Sequence, residues 1–396
     1  MVTPAIEGGQ PVRSDYLPFS PPGIGEEEVQ AVTGVLRSGW ITTGPRCAAF
    51  EQALTHYTGA KYAVPLSSAT AGLFLCLKLH GIGDGDEVIT SPYTFAATAN
   101  SIIHTGATPV FADVEDDTLN IALSEIEKKI TPRTKAVIPV HFAGHPASMD
   151  EICEVAGEYD ITIIEDAAHA IGASYRGRKI GSGENPAVFS FHAVKNLTTA
   201  EGGAVLTNDE NLARQLRLYA LHGQTRDAYE KLEIGGWQYD IIVPGYKYNM
   251  TDLQAAMGLE QLKKLNRNRK RRETISKRYT ASLKKFGFVT TPVTHDGVVH
   301  ARHLFPLRID FSHLSIDRDR FIIALAAENV SSNVHYIPVH VMSYYRNTYG
   351  YEPYDFPVAY TSSIHEVTLP LYPQMSDSDV QDVIEAVTKL LTYYAK

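Results

Sequence analysis

Short apolar runs alternate with longer amphipathic stretches over most of the first 220 residues. Strands are predicted at 87–90, 109–114, 136–140, 161–165 and 188–191, where apolar residues run on with little alternation. A strand apolar on both sides of its pleat has to be covered on both faces. Between these runs, 97–104, 123–130 and 149–159 read as helices. The alternation predicts an α/β layered fold with a mostly parallel sheet. Ahead of it, Glu26, Glu27 and Glu28 suit the positive end of a helix dipole. Val29, Val32, Val35 and Leu36 supply that helix's apolar stripe, and Gly39 stops it. A second helix, about 47–57, ends at Gly59, and 62–73 reads as a short strand and a small-residue turn into a helix reaching about 79.

Residues 204–207 read as a strand followed by a helix to about 221. Residues 223–248 read as loop, with Tyr229, Trp237, Tyr239, Tyr246 and Tyr248 in it. Thr251 and Gln254 make a capping box that starts a long helix. That helix carries the basic run 267–272, read as a solvated face. From about 285 the pattern changes, with strands at 303–309 and 334–337 and helices at 317–328 and 377–394. The expected organisation is an arm (1–23), a large α/β domain (24–284) and a smaller C-terminal α+β domain (285–396).

Composition narrows the picture. The 396 residues suit two domains. A net charge of -9 argues against nucleic acid or an anionic membrane as the main partner. Cys47, Cys76 and Cys153 have neither zinc spacing nor a disulfide framework, so each is read as a small buried hydrophobe and no metal is expected. Residues 1–10 lack a signal-peptide pattern and no apolar run reaches spanning length, so a cytoplasmic protein without membrane insertion is expected. There is no GxGxxG or P-loop.

The chemistry collects at strand ends. Lys195 stands in a loop after the run ending at Phe191, and Phe189, Phe191 and Val194 argue that this backbone is buried. A buried lysine is costly unless it is paired or used, and burial lowers its pKa towards proton-transfer work. Asp166 and His169 follow the strand at 161–165. A carboxylate there would keep the pyridine nitrogen of pyridoxal phosphate protonated, which makes the ring an electron sink. His169 would hydrogen-bond the aspartate or lie against the ring. Ala69, Thr70 and Ala71 offer N–H groups at a helix start, and Ser190 a hydroxyl, for a phosphate. Taken alone, a plain Ser/Thr N-cap explains the helix start better than an anion site does. Phe95 lies after another strand end, where it would stack on the ring.

These residues, with Ser38-Gly39-Trp40-Ile41-Thr42-Thr43-Gly44-Pro45, Ser67-Ser68-Ala69-Thr70-Ala71-Gly72, Glu165-Asp166-Ala167-Ala168-His169-Ala170 and Pro244-Gly245-Tyr246-Lys247-Tyr248-Asn249, resemble the sugar aminotransferases of the DegT/DnrJ/EryC1/StrS family. The resemblance covers nearly the whole chain and implies the fold-type I (aspartate aminotransferase-like) class of pyridoxal 5′-phosphate enzymes. It is nearest to enzymes that aminate C4 of UDP-linked 4-keto sugars, as in the 4-amino-4-deoxy-L-arabinose, bacillosamine and pseudaminic acid pathways. It implies Lys195 as the Schiff-base lysine, Asp166 on the pyridine nitrogen and His169 near the ring. Phe95 would cover a ring face, with Thr70, Ala71 and Ser190 on the phosphate and His192 shaping the site. Asn249 would reach the neighbouring subunit's phosphate, which implies a homodimer with shared active sites. Thr42, His335 and Tyr336 are substrate-side candidates. The implied reaction moves the amino group of L-glutamate, released as 2-oxoglutarate, to a nucleotide-linked keto sugar for cell-surface polysaccharide, lipopolysaccharide or glycan synthesis. C3 amination, or a dTDP- or GDP-linked sugar, is the alternative within the family. A dehydratase branch carries histidine in place of the lysine, so Lys195 argues against it. A non-catalytic regulator or binding protein on the same fold is the alternative outside enzymes.

Overall fold

The computed structural model describes residues 2–225 and 238–396. Ten strands precede residue 210: Tyr62–Leu66 (β1), Glu87–Thr90 (β2), Thr108–Phe111 (β3), Thr134–Ile138 (β4), Thr162–Ile163 (β5), Glu165–Asp166 (β6), Ser174–Tyr175 (β7), Arg178–Lys179 (β8), Ala187–Ser190 (β9) and Gly203–Thr207 (β10). One ladder runs β3-β2-β4-β5, all parallel. A second runs β1-β10-β9-β6. Ile164 alone separates β5 from β6, and Val140 bridges Asp166 in parallel, so the two ladders continue into one another. Only β10 opposes its neighbours. The expected α/β fold with a mostly parallel sheet is therefore present.

Both faces of this sheet are covered, as the unbroken apolar strands require. The helices are Glu26–Ser38 (α1), Pro45–Thr58 (α2), Ala69–Leu79 (α3), Ala96–Ile103 (α4), Leu123–Lys129 (α5), Met149–Glu158 (α6), Glu210–Ala220 (α7) and Asp252–Leu283 (α8). Val64, Val188 and Val205 lie in register and pack with Leu73, Leu77, Leu212 and Leu216 of α3 and α7. Their neighbours Ala63, Phe189 and Leu206 point the other way, towards Phe50 and Leu54 of α2 and Ala255 and Leu262 of α8. The period-2 alternation of the pleat thus assigns each strand residue to one of two cores.

The later half of α8 belongs to a third core. Ile275, Tyr279 and Leu283 pack with the antiparallel sheet of Val289–Thr290 (β11), Phe305–Ile309 (β13) and Glu366–Leu369 (β14), while Val298–Val299 (β12) pairs with β7. Arg318–Ala327 (α9), Ser343–Tyr349 (α10), Pro357–His365 (α11) and Asp377–Tyr393 (α12) complete this part. The N-terminal segment docks on it. Leu17 enters the core, and the buried Glu328 carboxylate accepts the N–H groups of Ala5 and Val12, each at 2.8 Å, and the Lys389 ammonium.

Several local expectations differ from the structure. In α1, Val29 and Leu36 are 50% and 56% exposed while Val35 is buried. The face turned to α8 is instead held by Glu28, whose carboxylate meets Lys264 and Gln261. Residues 334–337 are not a strand; one bridge, Asn333 to Thr368, is all that pairs there. The strand that does form, β14, follows α11 directly with no turn residue to mark it. Cys153 is exposed and accepts from Asn185, unlike the buried Cys47 and Cys76. Arg272, expected in a solvated run, is buried, and burial lowers its pKa to about 10. Its Nη1 donates to the carbonyls of His303 and Leu371, so it ties two segments of the third core to α8. Hydrogen bonds to a charged donor contribute about 1.5–3 kcal/mol each, which offsets part of its desolvation. Tyr229 and Trp237 lie outside the described residues.

Candidate active site

The carboxyl ends of β1, β2, β4, β6 and β9 converge on one cavity, as is general for ligand sites of open parallel sheets. It has a volume of about 620 Å³. Asp166 leaves β6 at its floor, buried. Thr98 of α4 donates to Oδ2 at 2.8 Å and the Ala168 N–H to Oδ1 at 3.1 Å. Since the Thr98 proton is committed to Asp166, the Thr94 hydroxyl donates to Thr98 across 2.8 Å. Burial raises the Asp166 pKa, against these bonds and the nearby Lys195 charge.

Lys195 lines the same cavity. Its backbone N–H bonds the His192 carbonyl in the tight turn after β9. Phe189 and Phe191 are buried beneath the loop, but Val194 is 36% exposed, so only part of the expected apolar cover is present. Burial lowers the Lys195 pKa to about 8, with Asp166 pulling the other way. The amine is therefore largely a free base above about pH 8, where an ordinary lysine is still charged. Reductive methylation of the cofactor-free protein with formaldehyde should therefore modify Lys195 along a pH curve whose midpoint falls near 8. A midpoint near that of surface lysines would contradict this environment.

His169 is buried and neutral, its pKa pushed well down by burial and by Lys195 and His335. It does not bond Asp166. Its Nε2 meets the Tyr336 hydroxyl at 3.1 Å, and its ring lies 4.4 Å from that of His303. Nδ1 is buried without a partner among the described residues. Phe95 N-caps α4 and is 65% exposed on the cavity, its ring 6.3 Å from Tyr336. Phe95, His169 and Asp166 line the same cavity, so a flat aromatic group bound there would meet a ring, an imidazole and a carboxylate.

At the start of α3, Ser68 Oγ accepts the Ala71 N–H at 3.1 Å. Ala71 is thus capped and does not line the cavity, whereas Ala69 and Thr70 do. Their N–H groups, in the first helical turn, have no intrahelical partner. Gly203 lets β10 pass this close; a Cβ there would lie 2.4 Å from the Ala69 nitrogen. Ser190 also lines the cavity, and so does His192, whose Nε2 is 3.7 Å from Glu201. Together these groups form a seat for a dianion at a helix N-terminus.

His335 and Tyr336 also line the cavity. Asn249 and Thr42 do not line this cavity. Asn249 Nδ2 donates to Thr43 Oγ1 at 2.6 Å and lines a second cavity of about 730 Å³ with Thr43 and Arg217. The Thr42 carbonyl accepts the Asp252 N–H at the start of α8. Sequence reasoning missed Thr98, whose only local signal was its spacing of four from Thr94. It also missed Phe19, Ser20, His303 and Asn333, which reach the cavity from distant segments. Among the described residues no helix is long and apolar enough to cross a membrane, and no cluster of three or more His, Cys, Asp or Glu is placed to hold a metal ion.

The model of the DegT/DnrJ/EryC1/StrS aminotransferase family matches residues 22–388. The spore coat polysaccharide biosynthesis protein SpsC of Bacillus subtilis is 49% identical over 381 residues, covering 96% of this chain and 98% of its own. The solved structure of the putative sugar aminotransferase Spr1654 of Streptococcus pneumoniae in its PMP-form superposes with a TM-score of 0.90 at 38% identity, covering 95% of this chain and 99% of that one. The same protein is also known in a PLP-form. PseC of Helicobacter pylori, an aminotransferase involved in the biosynthesis of pseudoaminic acid, superposes with a TM-score of 0.88 at 29% identity, covering 96% of this chain and all of that one.

Proposed function

The chain belongs to the DegT/DnrJ/EryC1/StrS aminotransferase family, and we propose that it transfers the amino group of L-glutamate to the C4 keto carbon of a UDP-linked sugar. It is a fold-type I sugar aminotransferase, and its cofactor is pyridoxal 5′-phosphate. The observation that carries the reading is the convergence of Lys195, Asp166 and the first turn of α3 on one cavity. The residues fit the cofactor. Asp166 would hold the ring nitrogen, Phe95 would cover a ring face with His169 near the ring, and Ala69, Thr70 and Ser190 would hold the phosphate. When bound, the cofactor supplies an electron sink for a carbanion at the reacting carbon.

The chain's own residues do the rest. Lys195 would hold the cofactor's aldehyde carbon and, once released by the amino donor, move a proton at the reacting carbon. Its Nζ takes the Cα proton of glutamate and later returns one to C4 of the sugar. A pKa near 8 suits an amine that must both accept and give a proton near neutrality. Thr98 and the Ala168 N–H hold Asp166 in place. Over the cycle, water supplies the oxygen of 2-oxoglutarate and the sugar's keto oxygen leaves as water, so the atoms balance.

A role in polysaccharide building follows the relatives named for spore coat polysaccharide and pseudoaminic acid synthesis, while the nucleotide link rests on the resemblance of the sequence motifs alone. Asn249, away from Lys195 and lining a separate cavity, suits a homodimer in which each chain contributes to its neighbour's site. The test is to supply L-glutamate with UDP-, GDP- and dTDP-linked 4-keto sugars and a 3-keto sugar, and to identify products by mass and NMR. A UDP-linked 4-amino sugar is expected. Turnover confined to the 3-keto substrate would overturn the C4 assignment.

A further inference from the structure

Beneath the cavity wall formed by His335 lies a fully buried carboxyl group, Glu366 of β14, outside the cofactor machinery described above. Its two oxygens have distinct partners. Oε2 accepts the backbone N–H of His335 at 2.9 Å, and Oε1 is in a short hydrogen bond with the Thr368 hydroxyl. Thr368 Oγ1 in turn meets His335 Nδ1 at 2.9 Å. The segment is held in register, because Asn333 and Thr368 exchange both backbone hydrogen bonds, at 3.2 and 2.8 Å. Phe19 of the N-terminal segment stacks on the His335 ring with centroids 5.5 Å apart. The carboxyl, the hydroxyl and the imidazole therefore form one fixed chain that ends in the cavity.

The proton count in this chain has two solutions. With Glu366 ionised, Thr368 donates to the carboxylate and accepts from His335 Nδ1–H, leaving Nε2 bare. With Glu366 protonated, the backbone N–H of His335 still requires Oε2 as its acceptor. The carboxyl proton must then sit on Oε1 and donate to Thr368 Oγ1. The Thr368 hydroxyl then donates to Nδ1, and Nε2 carries the ring proton.

We propose that Glu366, Thr368 and His335 form a proton-coupled relay in which the proton on Glu366 sets the His335 tautomer, so that the protonated relay presents Nε2–H to an oxygen of the substrate. This rests on the aminotransferase reading only for the identity of the substrates. Glu366 and Thr368 are positioning residues, and His335 is the group that touches the substrate. A bare Nε2 repels a carbonyl, carboxylate or phosphate oxygen, while Nε2–H binds one. Burial places the Glu366 pKa at about 8, against Thr368, the His335 N–H and Arg318. Tyr93 and Tyr336 also face Glu366, and Arg308 stands opposite it in the register of β13 and β14. Lys195, His169 and His303 are those facing His335, and burial with the Lys195 charge keeps the His335 ring neutral, its pKa at about 4.

Two measurements test the relay. In holoenzyme labelled with ¹⁵N-histidine, the His335 resonances are assigned by their loss in His335→Gln. They should switch from the Nε2–H to the Nδ1–H tautomer as pH rises through about 8, without the ring gaining charge. Glu366→Gln should hold the Nε2–H tautomer at every pH, because the His335 N–H fixes the amide oxygen and turns the NH₂ towards Thr368. Thr368→Val should remove the step, and Thr368→Ser should restore it. In kinetics, the wild-type KM for one substrate should rise about tenfold across the same step, and Glu366→Gln should abolish that rise. Separate titration of L-glutamate and of the keto sugar shows which one supplies the oxygen. Lys195 titrates in the same range, so the comparison with Glu366→Gln is decisive, not the wild-type profile alone. A wild-type tautomer that ignores pH, or a Glu366→Gln protein that keeps the step, overturns the relay. A wild-type protein that transaminates nothing would sink the aminotransferase reading instead, and the NMR arm would still decide the relay.

Discussion

Replacing Lys195 by alanine is expected to lower turnover by about 10⁴-fold or more, the combined loss of a positioned base and of a covalent anchor. No other lysine lines the cavity among the described residues. The variant should still fold, because the Lys195 side chain lines the cavity, makes no hydrogen bond among the described residues, and its removal relieves the desolvation that lowers its pKa. The check is twofold. Borohydride reduction of the wild-type holoenzyme should fix the cofactor mass on the peptide containing Lys195, and the alanine protein should carry none. An alanine variant that keeps wild-type turnover, or labelling of a different lysine, would refute the assignment.

The second large effect is expected from Asp166→Asn. The carboxylate's negative charge, aimed at the ring nitrogen, is what the substitution removes, and the loss should be about 10²–10³-fold in kcat. The side chain keeps its shape. The amide oxygen keeps the Ala168 N–H, and its NH₂ donates to Thr98, whose hydroxyl turns to donate to Thr94 instead, so both contacts of the side chain survive. Burial already disfavours the Asp166 charge in the folded chain, so the neutral amide relieves part of that cost. Thermal melting of the cofactor-free variant should consequently stay near wild type while activity collapses. If kcat stayed near the wild-type value, Asp166 would be a structural strand-end residue and not the electronic partner of the ring.

Lys195 and Asp166 are legible in the amino-acid sequence because each follows a buried strand within one short motif. Phe95, Ser190 and the α3 start are legible for the same reason. Ala71 belongs to the expected set by position, but its N–H is taken by Ser68, an outcome decided by one cap geometry. Of the two roles expected of His169, the hydrogen bond to Asp166 is not formed: its Nε2 reaches across to Tyr336, 167 positions later in the chain. Glu366 carries no local signal. Nothing in its neighbourhood marks it as buried, and it matters only because β14 pairs with residue 333.

Sequence alone determined the alternating strands and helices, and with them the strand ends at which chemistry had to appear. Those features depend on spacings of two to four residues, which a chain states locally. Tertiary structure decided which far segments close the cavity. Phe19, His303 and the 333–336 wall come from both ends of the chain. Burial of Arg272 and Glu366, and the shifts of Lys195 and His335 towards neutral forms, were likewise settled only there. Desolvation is a property of everything packed around a group, and no local pattern encodes it.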